Sequence, residues 1–312
     1  MQNPAVTVTP TPANGYPTTL HIVDTPIPTI SDDEVLISMQ QVGICGSDVH
    51  YWTHGGIGDF IVKKPMILGH EAAGKIVKIG KNVTNLKEGD RICIEPGYPL
   101  ENDNFSKTGR YNLSPVFFCA TPPDDGCLAR FYKHKAAFCY KLPDNMSYEE
   151  GAFIEPLSVG IHSCRRGGVS LGKNVLILGA GPIGLVNLQV AKTMGASKVV
   201  VVDLNENRLE LAEKCGALTL KTFIGEDPKV LADRIEKCLG DMPDVSIECT
   251  GAESCVQTAV YATKSGGCAV MVGMGKDMCN FPLLNACCRE VDIRGVFRYC
   301  NTWPTARCEC GF

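Results

Sequence analysis

Apolar and polar positions follow two different rhythms in the two halves of this chain. From about residue 32 to residue 140, short apolar runs are broken by glycine and proline, at residues 34–39, 74–79 and 91–94. Short alternating runs bounded by turn formers predict half-buried strands, hence a mostly β domain. From about residue 172 the rhythm changes. Strand-like runs at residues 174–178 and 198–203 alternate with helix-patterned runs at 183–194 and 208–215. Such alternation predicts parallel strands joined by right-handed crossovers, a doubly wound α/β domain. The join falls between residues 155 and 172, residues 7–17 read as loop, and no internal repeat is present.

Composition adds three expectations. At 312 residues the chain exceeds what one hydrophobic core usually supports, about 250 to 300 residues, so two cores are expected. A net charge of -4 with 21% charged residues offers no broad cationic surface, so no nucleic-acid partner is expected. The 17 cysteines are spread along a long chain rather than packed into a short one, which suits reduced thiols in a cytoplasmic setting better than a disulfide framework. Residues 1–12 lack a basic segment followed by an apolar one, and no apolar run approaches the roughly 20 residues that span a bilayer. The expectation is a protein neither secreted nor membrane-embedded.

Gly179-Ala-Gly181-Pro-Ile-Gly184 follows the strand-like run 175–178 and opens a helix-patterned one. Alone, such a pattern also serves as a structural turn. In this context the first glycine permits a tight turn, the second admits a pyrophosphate and the third lets helix pack on strand, with the helix N-terminus supplying partial positive charge. Asp203 ends the next strand-like run, about twenty residues on, where a carboxylate accepts ribose hydroxyls and repels a 2′-phosphate. NAD is favoured over NADP. Arg208 leaves the alternative open, since a guanidinium there could accommodate a phosphate.

In the β half, Gly43-Ile-Cys45-Gly-Ser47-Asp48-Val-His50 and Gly69-His70-Glu71 carry a thiol, an imidazole and a carboxylate. Catalytic zinc takes three protein ligands of these kinds and keeps an open position. A buried thiol and a surface His–Glu pair are the plainer readings, because the residues are distant in sequence and only a fold can join them.

These two segments, with Gly74 and Gly80 after the second, resemble the zinc-containing medium-chain alcohol dehydrogenases. Residues 42–51, 117–126, 155–160 and 296–301 are most similar to the polyol dehydrogenases of animals, and the resemblance runs from about residue 32 to residue 304. It implies an N-terminal GroES-like catalytic domain (1–155) and a Rossmann domain (156–300). It also implies that Cys45, His70 and Glu71 ligate one catalytic zinc, with Glu155 reaching the metal directly or through its water. The polyol would be held by Tyr51, Glu155, Arg298 and Tyr299, with Phe118 and Thr121 lining the pocket. NAD would rest on Gly179, Gly181, Ile183, Gly184, Asp203, Arg208, Val272, Gly273, Met274, Val296, Phe297 and Arg298. Glu155 is the candidate for relaying the alcohol proton, with Ser47 and His50 behind it.

The implied reaction is oxidation of a polyol to a ketose, sorbitol to fructose with xylitol and L-iditol as companions, by zinc-assisted hydride transfer to NAD. Many relatives carry four closely spaced cysteines for a structural zinc. Residues 95–114 hold none, so one ion per chain and no structural zinc is the expectation. The resemblance also implies a homotetramer. It fades after Pro304, and residues 301–312 read as a divergent stub of a shortened chain. Dehydrogenases of xylitol, arabinitol or threonine, which share the zinc and nucleotide machinery, stay open as alternatives, as does an inactive short form that binds nucleotide or pairs with full-length subunits.

Overall fold

The structure, a computed structural model, describes residues 2–10 and 18–309. It divides into two units, one drawn from Met1–Glu155 and Cys300–Phe312, the other from Pro156–Tyr299.

The first unit begins with β1 (Pro4–Thr9), β2 (Thr19–Asp24), β3 (Glu34–Gly43) and helix α1 (Gly46–His54). A small hairpin of β4 (Gly56–Ile57) and β5 (Phe60–Ile61) leads to β6 (Met66–Ile67), β7 (Glu71–Ile79) and β8 (Arg91–Ile94). Then come β9 (Gly97–Pro99), α2 (Asn104–Lys107), β10 (Val116–Phe118), β11 (Phe131–Lys135) and β12 (Cys139–Lys141). The main sheet has the order β11-β3-β7-β8-β12, all antiparallel. Val35, Ile37, Ile76, Ile92 and Ile94 alternate inward from three of its strands and are fully buried. Each such side chain contributes about 1.5 to 3 kcal/mol relative to exposure, which makes this row the reason the sheet holds. Where sequence reading expected loop, Thr7, Val8 and Thr9 instead close β1, paired with both β2 and β6. Residues 11–17 lie outside the described residues.

Helix α3 (Tyr148–Gly167) opens with Glu149 and Glu150 and ends with Arg165 and Arg166, charges that complement the helix dipole. The unit boundary lies within it.

The second unit alternates strictly: β13 (Asn174–Leu178), α4 (Pro182–Thr193), β14 (Lys198–Asp203), α5 (Glu206–Lys214), β15 (Leu218–Lys221), α6 (Pro228–Leu239), β16 (Val245–Glu248), α7 (Glu253–Ala262), β17 (Cys268–Met271), α8 (Leu283–Cys288) and β18 (Asp292–Gly295). Its six strands are parallel in the order β15-β14-β13-β16-β17-β18. Residues 199–202 are four buried valines in succession, the composition of a strand covered on both faces. Local signals set the helix ends. The Asp227 carboxylate accepts the amides of Lys229 and Val230 ahead of α6, Pro228 starts that helix, and Gly240 ends it in the left-handed region. Strand order reverses between β13 and β16, the switch point where doubly wound sheets bind ligands.

Residues 301–309, expected as a divergent end, pack within the first unit. The Asn301 amide donates to the Tyr111 hydroxyl at 2.8 Å, and α9 (Trp303–Glu309) follows. Trp303 is fully buried with its ring centroid 6.4 Å from that of Tyr140, while the Arg307 guanidinium lies 5.5 Å over the Tyr140 ring. No described helix is long and apolar enough to cross a membrane.

Candidate active site

Antiparallel pairing of β3 with β7 sets Gly43 opposite Glu71, after two register shifts at residues 36–37 and 39–41. The end of one strand and the start of the other thereby meet. Cys45 follows β3 as the N-cap of α1, and His70 immediately precedes β7. A Cβ on Gly43 would meet the Glu71 carboxylate, so a side chain there would push that carboxylate out of its place.

The Cys45, His70 and Glu71 ligand atoms all lie within 4.8 Å of one another. His70 is buried, Cys45 and Glu71 half-buried. Beneath them Asp48, 2% exposed, accepts the Cys45 amide at 3.0 Å with one oxygen and the Gly69 amide at 2.9 Å with the other. Burial pulls the His70 imidazole down, yet its hydrogen bond to Cys45 and the negative charges of Glu155, Cys45 and Asp48 outweigh this and push it up to about 10. Burial raises the Glu71 carboxyl, against the opposing pull of His70. The pocket is one that attracts positive charge.

Of the other predicted residues of the first unit, Glu155 and Phe118 lie beside His70. Glu155, buried on α3, is near enough to act on His70 by charge. The Phe118 ring centroid lies 5.9 Å from that of His70, and Thr121 follows in a turn whose amide donates to the Phe118 carbonyl at 3.1 Å. Tyr51 is 3% exposed and packs with Val8, Val62, Met66 and Leu68. Ser47 is half-buried in the first turn of α1. His50 is exposed, its ring centroid 5.1 Å from that of His54.

In the second unit Gly179 adopts φ +99° after β13, and its amide donates to the Val202 carbonyl at 2.8 Å. Gly181 caps α4, and a Cβ on Gly184 would collide with the Gly179 carbonyl, so the loop closes tightly over the helix start next to half-buried Ile183. Asp203 ends β14 with one oxygen on the Ala180 amide at 2.7 Å and the other on the Asn205 amide at 2.8 Å. The aspartate thus touches the glycine loop itself. Arg208 is exposed on α5. Val272 and Gly273 each donate an amide to the Glu248 carbonyl at 2.9 Å, and Met274 is exposed. After β18 the Val296 amide donates to the Met271 carbonyl at 3.0 Å, and the Arg298 guanidinium lies 4.8 Å over the Phe297 ring. Arg298 itself holds φ +53°, a strained conformation for a side chain of its size, and Tyr299 is buried.

Comparison with known proteins gives two family matches, an alcohol dehydrogenase GroES-like domain over residues 31–144 and a zinc-binding dehydrogenase over residues 182–309. The chain is 62% identical over 291 residues to the sorbitol dehydrogenase of Macaca fascicularis, covering 93% of this chain and 82% of that protein. The sorbitol dehydrogenase of Gallus gallus is 59% identical over 288 residues, covering 92% and 81%. The chain belongs to the zinc-binding dehydrogenase family. Solved structures agree in fold. An Escherichia coli oxidoreductase of unknown specificity involved in membrane biogenesis superposes with a TM-score of 0.89 at 38% identity, over 98% of this chain and 87% of that one. The 2R,3R-butanediol dehydrogenase of Bacillus subtilis gives 0.87 at 26%, over the same shares. The fold is therefore a GroES-like domain with a Rossmann domain, as the sequence led one to expect.

The residues present fit the ion that the family name implies. Sulfur, imidazole nitrogen and carboxylate oxygen converge, a donor set suited to catalytic zinc. The buried His70 Nδ1 makes no hydrogen bond among the described residues, with Asp48 Oδ1 3.8 Å away. Two carboxylates that sequence reading did not single out also matter, Asp48 beneath the cluster and Glu248 at the end of β16. Each looks like an ordinary turn or strand-end acid in the sequence, and only burial sets it apart.

Proposed function

We propose that this chain oxidises a polyol of the sorbitol kind to its ketose, with NAD as hydride acceptor and a zinc ion held by Cys45, His70 and Glu71. The observation that carries the reading is the presence in one chain of that ligand cluster and of a glycine loop tied to Asp203. High identity to sorbitol dehydrogenases supports the substrate class.

When bound, zinc supplies Lewis acidity that makes an alcohol easier to deprotonate near neutral pH. The chain's own residues do the rest. Asp48 holds both ligand segments in place through the Cys45 and Gly69 amides. Glu155, buried and beside His70, takes the alcohol proton and passes it on, with Ser47 and His50 as the weaker candidates for that role. Tyr51, Arg298 and Tyr299 present groups that bind the remaining hydroxyls and reject substrates lacking them, and Phe118 and Thr121 line the pocket. On the nucleotide, Gly179, Gly181 and Gly184 admit the pyrophosphate beside Ile183. Asp203 keeps lone pairs for ribose hydroxyls beyond its two amide bonds. Arg208, residues 272–274 and residues 296–298 complete the NAD contacts. A homo-oligomer, tetrameric by kinship, belongs to the same reading, and sedimentation of the purified chain reads it.

The test is NADH formation from sorbitol by the purified chain, with and without a zinc chelator. NAD-dependent turnover abolished by the chelator is the expected result. Absence of NADH formation, or turnover indifferent to the chelator, overturns the reading.

A further inference from the structure

Glu248 ends β16, the strand beside β13 where the sheet order reverses. It is fully buried, and burial raises its carboxyl above the ordinary range. Burying a carboxylate is costly unless hydrogen bonds answer its charge. Here they do. One oxygen accepts the Thr250 amide at 2.7 Å, the Thr250 hydroxyl and the Gly251 amide at 3.1 Å, and the other accepts the Gly251 amide at 3.0 Å. The backbone carbonyl of the same residue takes the amides of Val272 and Gly273, each at 2.9 Å. One residue thus fastens the loop after β16 and the loop after β17.

The space around it is filled to the point of excluding side chains. A Cβ on Gly273 would lie 2.7 Å from the Glu248 carboxylate, and one on Gly251 would lie 2.5 Å from the Gly275 nitrogen. A Cβ on Gly179, first glycine of the nucleotide loop, would lie 2.8 Å from the Thr250 methyl. The loops leaving β13, β16 and β17 therefore interlock, and the Glu248 carboxylate is the only charged group among the bonds just described. A carboxylate only accepts, so its two oxygens can gather several N–H and O–H donors where an amide would turn one donor against another.

We infer that Glu248 is a positioning residue for the dinucleotide, its carboxylate holding residues 250–251 against the closely packed Gly273, beside the Val272 and Gly273 amides on its own backbone carbonyl, in the backbone arrangement that the NAD site requires. This rests on the NAD reading above. Glu248 touches the loops and acts through them.

The experiment is direct titration with NADH, followed by its fluorescence, on the wild-type chain and on the variants Glu248→Ala, Glu248→Gln and Thr250→Val, with zinc content and thermal midpoint measured on the same samples. Glu248→Ala should weaken NADH binding by at least about tenfold, the scale on which small displacements of positioning groups act. Glu248→Gln keeps the side-chain length and one acceptor oxygen, so it and Thr250→Val should each weaken binding by about fivefold, with zinc content unchanged. A folded Glu248→Ala variant that binds NADH within about twofold of wild type while its thermal midpoint falls would show a structural role alone and overturn the inference. Should Glu248→Ala not fold, binding within about twofold for both other variants overturns it equally. A wild-type chain that binds no NADH defeats the NAD reading itself, a failure visible before any variant is compared.

Discussion

Asp48 Oδ1 accepts the backbone amide of Gly69 at 2.9 Å, and through that bond the helix after β3 is tied to the turn that delivers His70. The other Asp48 oxygen holds the Cys45 amide at 3.0 Å, so one buried carboxylate sets the separation of two ligand segments far apart in sequence. Partners that orient ligands typically control metal affinity by about 10- to 100-fold. Asp48→Ala should weaken zinc retention by that order in competition with a chromogenic chelator. Retention equal to wild type would remove Asp48 from the account.

Asp203 bonds the glycine loop and the N-terminal region of α5 at once. Asp203→Ala should raise KM for NAD by about tenfold and narrow the preference over NADP, since the repelling charge is gone. The ratio of kcat/KM for the two cofactors measures it. An unchanged ratio would mean that discrimination lies elsewhere.

A buried acid in the first unit sets a pH dependence of opposite sign to the usual carboxylate. Burial pushes the Glu95 carboxyl up to about 7, although the Tyr111 and Tyr140 hydroxyls donate to it. Its folded value lies above its ordinary value of 4.5, so the folded state binds this proton more tightly. The contribution is complete below pH 4.5 and is lost as pH rises through about 7. Glu95→Gln, which cannot ionise, should therefore gain stability relative to wild type between pH 5 and pH 8, by on the order of 3 kcal/mol at most. Thermal midpoints of both proteins across that range test the sign. A gap that shrinks as pH rises would contradict it.

His134 works the other way. Burial pulls its imidazole down to about 4, so protonating it on acidification opposes the folded state between about pH 6.5 and pH 4. His134 Nε2 bonds the Glu95 carbonyl at 2.8 Å, with the nitrogen donating. In wild type the two groups offset each other over part of the acid range. Glu95→Gln should accordingly show a steeper loss of stability from pH 6 to pH 4.5 than wild type does. Equal slopes would mean that Glu95 does not hold its proton more tightly in the folded state.

Ile37 sits on β3, between β11 and β7 of the antiparallel sheet, with no exposed surface. Ile37→Ala should cost about 2 to 5 kcal/mol, by lost burial and the cavity left behind. Denaturant midpoints measure it, and a loss under about 1 kcal/mol would mean that the sheet closes over the gap.

In the second unit the strands at residues 174–178 and 198–203 and the helices that follow them were legible, because buried parallel strands are continuous apolar runs and the helices between them carry their own periodicity. The first unit was less so. β1 is six residues long and rich in threonine, and it is held by pairing with β2 and β6, which no local pattern reveals. Types of ligand could be read from Cys45, His70 and Glu71, but their meeting depends on a register with two shifts between β3 and β7. Asp48 and Glu248 were missed for a similar reason. Their importance comes from burial and from backbone amides converging on them, neither of which residue type announces.

The ligand cluster is tested most directly by metal analysis of the purified chain and of its Cys45→Ser variant, with sorbitol oxidation measured on the same samples. About one zinc per chain is expected in wild type, and in the variant a loss of zinc with a matching loss of NADH formation. Full zinc content and undiminished polyol oxidation in Cys45→Ser would contradict it.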